Sequence, residues 1–225
     1  MNDHLTILQK CPLFSGISEA ELRKILACVD AKPRDYEAGS LVLREGDTQS
    51  AVCILLSGRL ILSRPDFFDR EEFMVLVPGD MTGIPEAFLS SKLDYSATAE
   101  VGSVVLFIEA NRLLEPCAST CGCHLRAIRN LARQLAVEDA ENRGRIRHLC
   151  RRSTREKLLS YLCREATLNH SDIFDIPLDR KTLADYLAVD RSAMSNELSK
   201  LRTSGIIEFE RNHFILKKEN NNALH

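Results

Sequence analysis

The 225-residue chain has no run of apolar residues approaching the ~20 that a membrane helix requires, which argues against a spanning segment. Its opening residues, Met1-Asn2-Asp3-His4, show no basic cluster leading into a greasy stretch. The expectation is therefore no signal peptide and a cytoplasmic location. No histidine occurs between Ala31 and Glu109. A barrel enzyme of the metal-dependent cupin kind needs a His-x-His pair and a glutamate on its strands, so this chemistry is excluded and no enzyme is expected. Net charge is nearly missing as well: 30 Lys and Arg stand against 32 Asp and Glu, leaving −2.

That near-zero balance hides a split. Residues 1–116 hold 11 Lys and Arg against 18 Asp and Glu, a net of −7, and residues 117–225 hold 19 against 14, a net of +5. A basic half suits phosphate binding, because each Lys or Arg placed near a phosphate releases condensed counterions. The apolar fraction of 44% is enough for globular cores, and the length leaves one or two domains open. The cysteines, Cys11, Cys28, Cys53, Cys117, Cys121, Cys123, Cys150 and Cys163, are expected to be reduced thiols in a cytoplasmic protein. Most sit among apolar neighbours, as small hydrophobes do.

Residues 4–14 read as a short helix stopped near Pro12. Ser18-Glu19-Ala20-Glu21 is a capping box that starts a second helix with Leu22, Ile25, Leu26 and Val29 on one face. From Ala31 to Glu109 the period shortens. The β-rich runs are 40–45, 52–56, 59–64, 73–77, 95–101 and 104–108, punctuated by Gly39, Gly46, Ser57-Gly58 and Pro78-Gly79-Asp80. Many short strands at this spacing predict a small β-barrel or jelly roll. Over 124–149, Leu125, Ile128, Ala132, Leu135, Asp139, Asn142, Ile146 and Leu149 step by three and four. The seam suits a helix pairing with its twin across a dimer axis. Asp139 and Asn142 interrupt it, Gly144 weakens the helix, and a helix packed on its own barrel is the alternative.

The most informative segment lies between Asp179 and Leu201. Asp179 caps a helix carrying Leu183, Ala184 and Leu187; Ala188-Val189-Asp190 forms a tight turn; Asp190 caps a second helix. In that helix Met194, Leu198 and Leu201 must face inward, which turns Arg191, Ser192, Ser195, Asn196 and Ser199 outward. Helix, three-residue turn, helix is the spacing of a helix-turn-helix. Short polar side chains allow close approach to base edges, and arginine and asparagine offer paired contacts to guanine and adenine. Gly205 ends the helix, and 206–209 and 213–216 read as two strands around Arg211-Asn212, a wing. An ordinary helical pair with a hairpin used for packing is the competing reading.

Taken together, these segments resemble the CRP/FNR family of bacterial regulators over nearly the whole chain. The resemblance rests on Cys11-Pro12-Leu13-Phe14-Ser15-Gly16-Ile17, Gly39 through Gly46, Ser57-Gly58-Arg59-Leu60, Pro78-Gly79-Asp80, Thr154-Arg155-Glu156-Lys157-Leu158 and Arg180 through Leu201. The stretch Val189-Asp190-Arg191-Ser192-Ala193-Met194-Ser195 is similar to a branch common in anaerobic Firmicutes. The resemblance implies an α+β chain in three parts. These are a cyclic-nucleotide-binding-like β jelly roll for effector sensing (1–116), a dimerisation helix (117–150) and a winged helix-turn-helix (151–225). It further implies a homodimer on double-stranded DNA with a two-fold symmetric site, RNA polymerase as a partner, and no membrane association. Arg180, Arg191, Ser192, Ser195, Asn196 and Ser199 are the expected DNA-binding residues. At Asn196 the family usually carries an arginine that reads guanine, so adenine is the expected base there. A ligand sensor acting through a protein partner rather than DNA is the alternative.

The family's cyclic-nucleotide members hold the cyclic phosphate on an arginine and the ribose on a glutamate after glycine. Here Tyr95 stands in the arginine's place beside Asp94, and Ile84-Pro85 separates Gly83 from Glu86. A buried phosphate without a cation is costly, so cyclic AMP is not expected. Gly83, Glu86, Tyr95 and Ser96 mark the effector pocket for a small molecule or redox signal of another kind. A second sensing candidate is the patch Cys117, Cys121, Cys123 and His124, whose soft ligands suit an iron–sulfur cluster, zinc, a redox thiol pair or haem through His124. Its Cys-x3-Cys-x-Cys spacing matches no established ligand motif, and incidental thiols near a helix start remain the alternative.

Overall fold

The computed structural model describes residues 2–65, 71–115 and 122–217. The chain divides into two compact units, Met1–Leu135 and Ala136–His225. The first opens with α1 (Asn2–Lys10), a 3-10 turn over Pro12–Phe14 and α2 (Glu19–Cys28). The short helix expected to stop near Pro12 does so: α1 ends at Lys10, and Pro12, which has no N–H to donate, starts a separate, tighter turn. The capping box forms in full, with the Ser18 side chain accepting from Glu21 N and Ser18 N donating to Glu21 Oε2 at 2.9 Å.

Eight strands follow: β1 (Lys32–Tyr36), β2 (Leu41–Leu43), β3 (Ala51–Ser57), β4 (Leu60–Pro65), β5 (Glu71–Leu76), β6 (Met81–Thr82), β7 (Ser96–Ala99) and β8 (Ser103–Glu109). Helix α3 (Ile84–Leu89) separates β6 from β7, and α4 (Ala110–Leu114) follows β8. They pair as two antiparallel sheets, ordered β1-β8-β3-β6 and β2-β7-β4-β5. Because alternate strand residues face opposite ways, β3 serves two cores. Val52, Ile54 and Leu56 pack with Leu8, Phe14, Leu22 and Ile25 of the helical layer. Cys53 and Leu55 pack with Leu43, Leu60, Ala97 and Val105 between the sheets. That double burial is why 51–56 is an unbroken apolar run rather than an alternating one. The turn after β3 needs Gly58: its φ is +89°, and a Cβ there would lie 2.6 Å from Gly102 O.

Helix α5 (Gly122–Leu149) is shared between the units. Cys123, Ala127 and Leu131 join the helical core of the first. Leu125, Leu135, Val137 and Ile146 are exposed, at 58%, 38%, 52% and 57%. Of these, Leu125, Leu135 and Ile146 belong to the heptad seam, whose Ile128 and Leu149 are half-buried, while Val137 lies on another face; Cys123, Ala127 and Leu131, which pack within the chain, are not seam positions. Gly144, which the sequence presents as a weak point, is buried. A Cβ there would come within 2.8 Å of Arg164 Nε, so the absent side chain makes room for a guanidinium.

The second unit adds α6 (Thr154–Leu168), β9 (Ile173–Asp175), α7 (Arg180–Leu187), α8 (Arg191–Thr203), β10 (Ile207–Glu210) and β11 (His213–Leu216). Its strands form a sheet ordered β10-β11-β9. One core gathers Leu158, Leu162, Phe174, Leu183, Leu187, Met194, Leu198, Leu201, Ile207 and Phe214. Full burial of side chains of this size is worth roughly 1.5–3 kcal/mol each, which outweighs the indifferent helix propensity of the serine-rich α8. Among the described residues no helix is long and apolar enough to cross a membrane.

Candidate functional site

Two aspartates set the geometry of the α7–α8 pair. Asp179 accepts from Thr182 N at 2.8 Å, and Asp190 accepts from Ala193 N at 2.8 Å and from the Ser192 hydroxyl. Those hydrogen bonds hold both carboxyls below the usual aspartate range: chiefly backbone donation from Thr182 at Asp179, and chiefly the Ser192 hydroxyl at Asp190. Between the helices Ala188 adopts φ +48°, the left-handed conformation usually left to glycine.

On α8, Met194, Leu198 and Leu201 are buried at 2% exposure or less, so the opposite face is open. Arg191, Ser192, Ser195 to Asn196 and Ser199 lie on it or flank it, all outside the core. Their hydroxyls are engaged locally: Ser195 Oγ donates to Arg191 O at 2.9 Å and Ser199 Oγ to Ser195 O at 3.0 Å. Thr203 Oγ1 continues the series to Ser199 O at 2.9 Å. Arg191 and Asn196 are the long polar side chains left without an intramolecular hydrogen bond among the described residues of this face.

Arg180 is placed differently. Its guanidinium lies 5.0 Å from the ring centres of both Phe209 and Phe214, and Nη2 donates to Arg211 O at 2.7 Å. Nη1 is buried without a partner among the described residues, and burial lowers its pKa. The wing is a two-residue hairpin, Glu210 pairing with His213 around Arg211-Asn212, with Arg211 at φ +50°. Arg180 thus grips the wing tip from the first turn of α7. Arg202, which the sequence did not single out, covers the same Phe209 ring at 5.0 Å.

In the barrel, Gly83 starts α3 at φ +76°. Tyr95 Oη and Thr82 Oγ1 are 2.7 Å apart, and desolvation pushes the Tyr95 phenol up to about 12. Ser96 Oγ accepts from Glu45 N at 3.1 Å, so it serves the β2 end rather than this cluster. Glu86 Oε2 is buried with no hydrogen-bond partner among the described residues. Gln49, also missed in the sequence, donates Nε2 to Ala51 O at 2.6 Å and to Cys53 Sγ at 3.2 Å. Both partners lie on β3, two and four residues along the chain, so the contact pins the start of that strand.

Of the cysteine patch, Cys117 and Cys121 lie outside the described residues. Cys123 is buried in the helical core at 5% exposure. His124 is buried too, with Nε2 2.6 Å from Leu113 O and Nδ1 lacking a partner among the described residues. A carbonyl only accepts, so Nε2 carries the proton. Among the described residues no group of three or more His, Cys, Asp or Glu could hold a metal ion.

Residues 33–120 match the family model of a cyclic nucleotide-binding domain, and residues 156–220 that of a Crp-like helix-turn-helix domain. The chain is 27% identical over 187 residues to the transcriptional activator protein FnrL of Cereibacter sphaeroides, covering 79% of this chain and 73% of that protein. The crystal structure of the Thermus thermophilus catabolite activator protein shares the fold, with a TM-score of 0.52 at 20% identity over 92% of this chain and 94% of that one. The N-terminal domain of a transcriptional regulator from Streptomyces coelicolor A3(2) gives the same TM-score at 20% identity over 60% of this chain and 95% of its own.

Proposed function

Because the chain belongs to the CRP/FNR family of transcription regulators, we propose that it acts as a cytoplasmic homodimer that reads a two-fold symmetric DNA site with α8 in the major groove. The observation that carries this reading is the open face of α8. The side chains of Arg191 and Asn196 stand there without a hydrogen bond among the described residues, on a helix fixed by the Asp190 cap and the Met194, Leu198 and Leu201 core. Arg191, Asn196 and the shorter Ser192, Ser195 and Ser199 contact bases, Asn196 preferring adenine. Arg180 supports the wing beside them. The exposed seam of α5 supports the dimer, since its large apolar Leu125, Leu135 and Ile146 call for a partner surface. The partner here is a second copy of the same helix, and RNA polymerase is the onward contact.

The barrel is proposed to sense an effector other than a cyclic nucleotide. Tyr95 occupies the arginine position, and the orphaned Glu86 Oε2 makes an adjoining phosphate costly. Cys117, Cys121, Cys123 and His124 are proposed as a redox or metal sensor, one that would have to form with Cys123 and His124 both buried, at 5% and 3% exposure. Anaerobic purification with metal, sulfide and absorbance analysis tests this, and a colourless, metal-free protein rejects a cluster or haem.

The DNA reading is tested by gel-shift titration on a duplex enriched from a random pool by the wild-type protein. Arg191→Ala is expected to weaken binding by ~1–3 kcal/mol. Unchanged affinity counts against α8 as the reading helix.

A further inference from the structure

The C-terminal end of α7 lies next to the turn that aims α8, and its carbonyls can be accounted for one by one. A helix leaves its last four C=O groups without intrahelical partners. Here they belong to Ala184, Asp185, Tyr186 and Leu187. The turn itself takes the first two: Val189 N donates to Ala184 O at 3.0 Å and Ala188 N to Asp185 O at 3.2 Å, the pairing that closes a helix on a left-handed residue. The other two are met by cations from outside the motif. Arg145 of α5 donates Nε to Tyr186 O at 3.4 Å while its guanidinium carbon lies 5.4 Å from the Tyr186 ring centre. Lys157 of α6 donates Nζ to Leu187 O at 3.2 Å and to Ala188 O at 3.2 Å.

Resting on the reading of α8 as a DNA-recognition helix, we propose that Arg145 and Lys157 are positioning residues that cap α7 from α5 and α6 and thereby hold the turn that orients α8. Two further features support this. The end of α7 carries the negative pole of its dipole, where cations are favoured. Ala188 is an alanine at φ +48°, a conformation disfavoured for any residue with a Cβ that persists where surroundings over-determine it. Lys157 binds the carbonyls on both sides of that residue's N–Cα–C unit. Arg145 lies beside Ile146, one of the exposed seam residues, so the side chain that caps the turn sits next to the face proposed to pair in the dimer.

The test uses the full-length dimer, Lys157→Met and Arg145→Met singly and together, Lys157→Arg as the conservative control, and the enriched duplex named above. Lys157→Met is expected to lower affinity about tenfold, as losing a charge-assisted pair of hydrogen bonds should. The slope of log K against log [salt] stays unchanged because no phosphate contact is lost, and Lys157→Arg restores most of the affinity. Amide exchange at Ala188 and Val189 accelerates in the same order. Unchanged affinity with unchanged exchange overturns the proposal. So does a salt slope smaller by ~1, which would mark Lys157 as a phosphate contact. If the wild type enriches no duplex, the DNA reading fails by itself, and the amide-exchange comparison still decides the cap.

Discussion

In the barrel, most polar side chains around α3 bond one another or their own strand, Glu86 Oε2 excepted; on the open face of α8, the Arg191 and Asn196 side chains make no hydrogen bond among the described residues. Tyr95 meets Thr82, and Gln49 meets Ala51 and Cys53. Arg191 and Asn196, by contrast, are mounted on a capped helix with a rigid underside. A site for a small ligand inside a sandwich keeps its polar groups satisfied until the ligand replaces those bonds. A site for a large polyanion can leave cations in water at little cost. The difference separates a helix face whose long polar side chains are open to solvent from a barrel cluster whose polar groups are largely spent on one another.

The sharpest break between the two regions comes from their separate cores. Leu201→Ala removes a fully buried side chain of the second unit and should destabilise that unit by ~2–5 kcal/mol. Calorimetry is then expected to show one transition moving down while the barrel transition stays in place; a joint shift would mean the two cores do not unfold independently. Next in size is Asn196→Arg. It should move preference at one base pair from adenine toward guanine by ~1–3 kcal/mol, read by competition between duplexes differing at that position. Tyr95→Phe in the effector-free protein should leave the same competition unaltered. Ala188→Gly relieves the left-handed turn and should raise the melting free energy of the second unit by ~0.5–1 kcal/mol, measured by urea titration.

The smallest effect is on pH. His148 is buried, bonded through Nδ1 to Ser160 Oγ at 2.8 Å, and packed edge-on against Tyr161. Burial first, then Arg164, Arg147 and Arg151, hold its pKa below the usual histidine value. A histidine with a depressed folded pKa disfavours folding when protonated, because the unfolded chain binds the proton more readily. Stability of the second unit should therefore rise as pH climbs through the window ending near ~6.5 and be flat above it. In His148→Gln that rise is expected to vanish. Tyr95 and Cys53, both pushed up to about 12, keep their protons across the same range.

The winged segment was readable because its signals are local. Asp179 and Asp190 cap within three residues, and Met194, Leu198 and Leu201 repeat at helical spacing. The seam of α5 was readable for the same reason. Strand β1 was not: Lys32-Pro33-Arg34-Asp35-Tyr36 is exposed at four of five positions, so pairing with β8 leaves no alternation to detect. Helix α3 was hidden because it is short and begins at a left-handed glycine followed by Ile84-Pro85. Helix α6 starts with a second capping box, Ser153 with Glu156, which is a local signal that was visible and went unused. The roles of Gly144, Lys157 and Arg145 depend on partners between 20 and 41 residues away. No periodicity encodes contacts of that kind.

Along α8, Ser192, Ser195, Ser199 and Thr203 each give their single hydroxyl proton to the protein: to Asp190, Arg191, Ser195 and Ser199 in turn. What they turn outward is lone pairs alone. Guanine O6 and N7 and thymine O4 also present only lone pairs to the major groove, whereas cytosine and adenine present an exocyclic amino group. A row of spent hydroxyls is therefore mute toward the first set and answers the second. Because every base pair carries one such amino group, on adenine or on cytosine, hydroxyls of this kind accept from either pair, and telling the pairs apart would fall to Arg191 and Asn196.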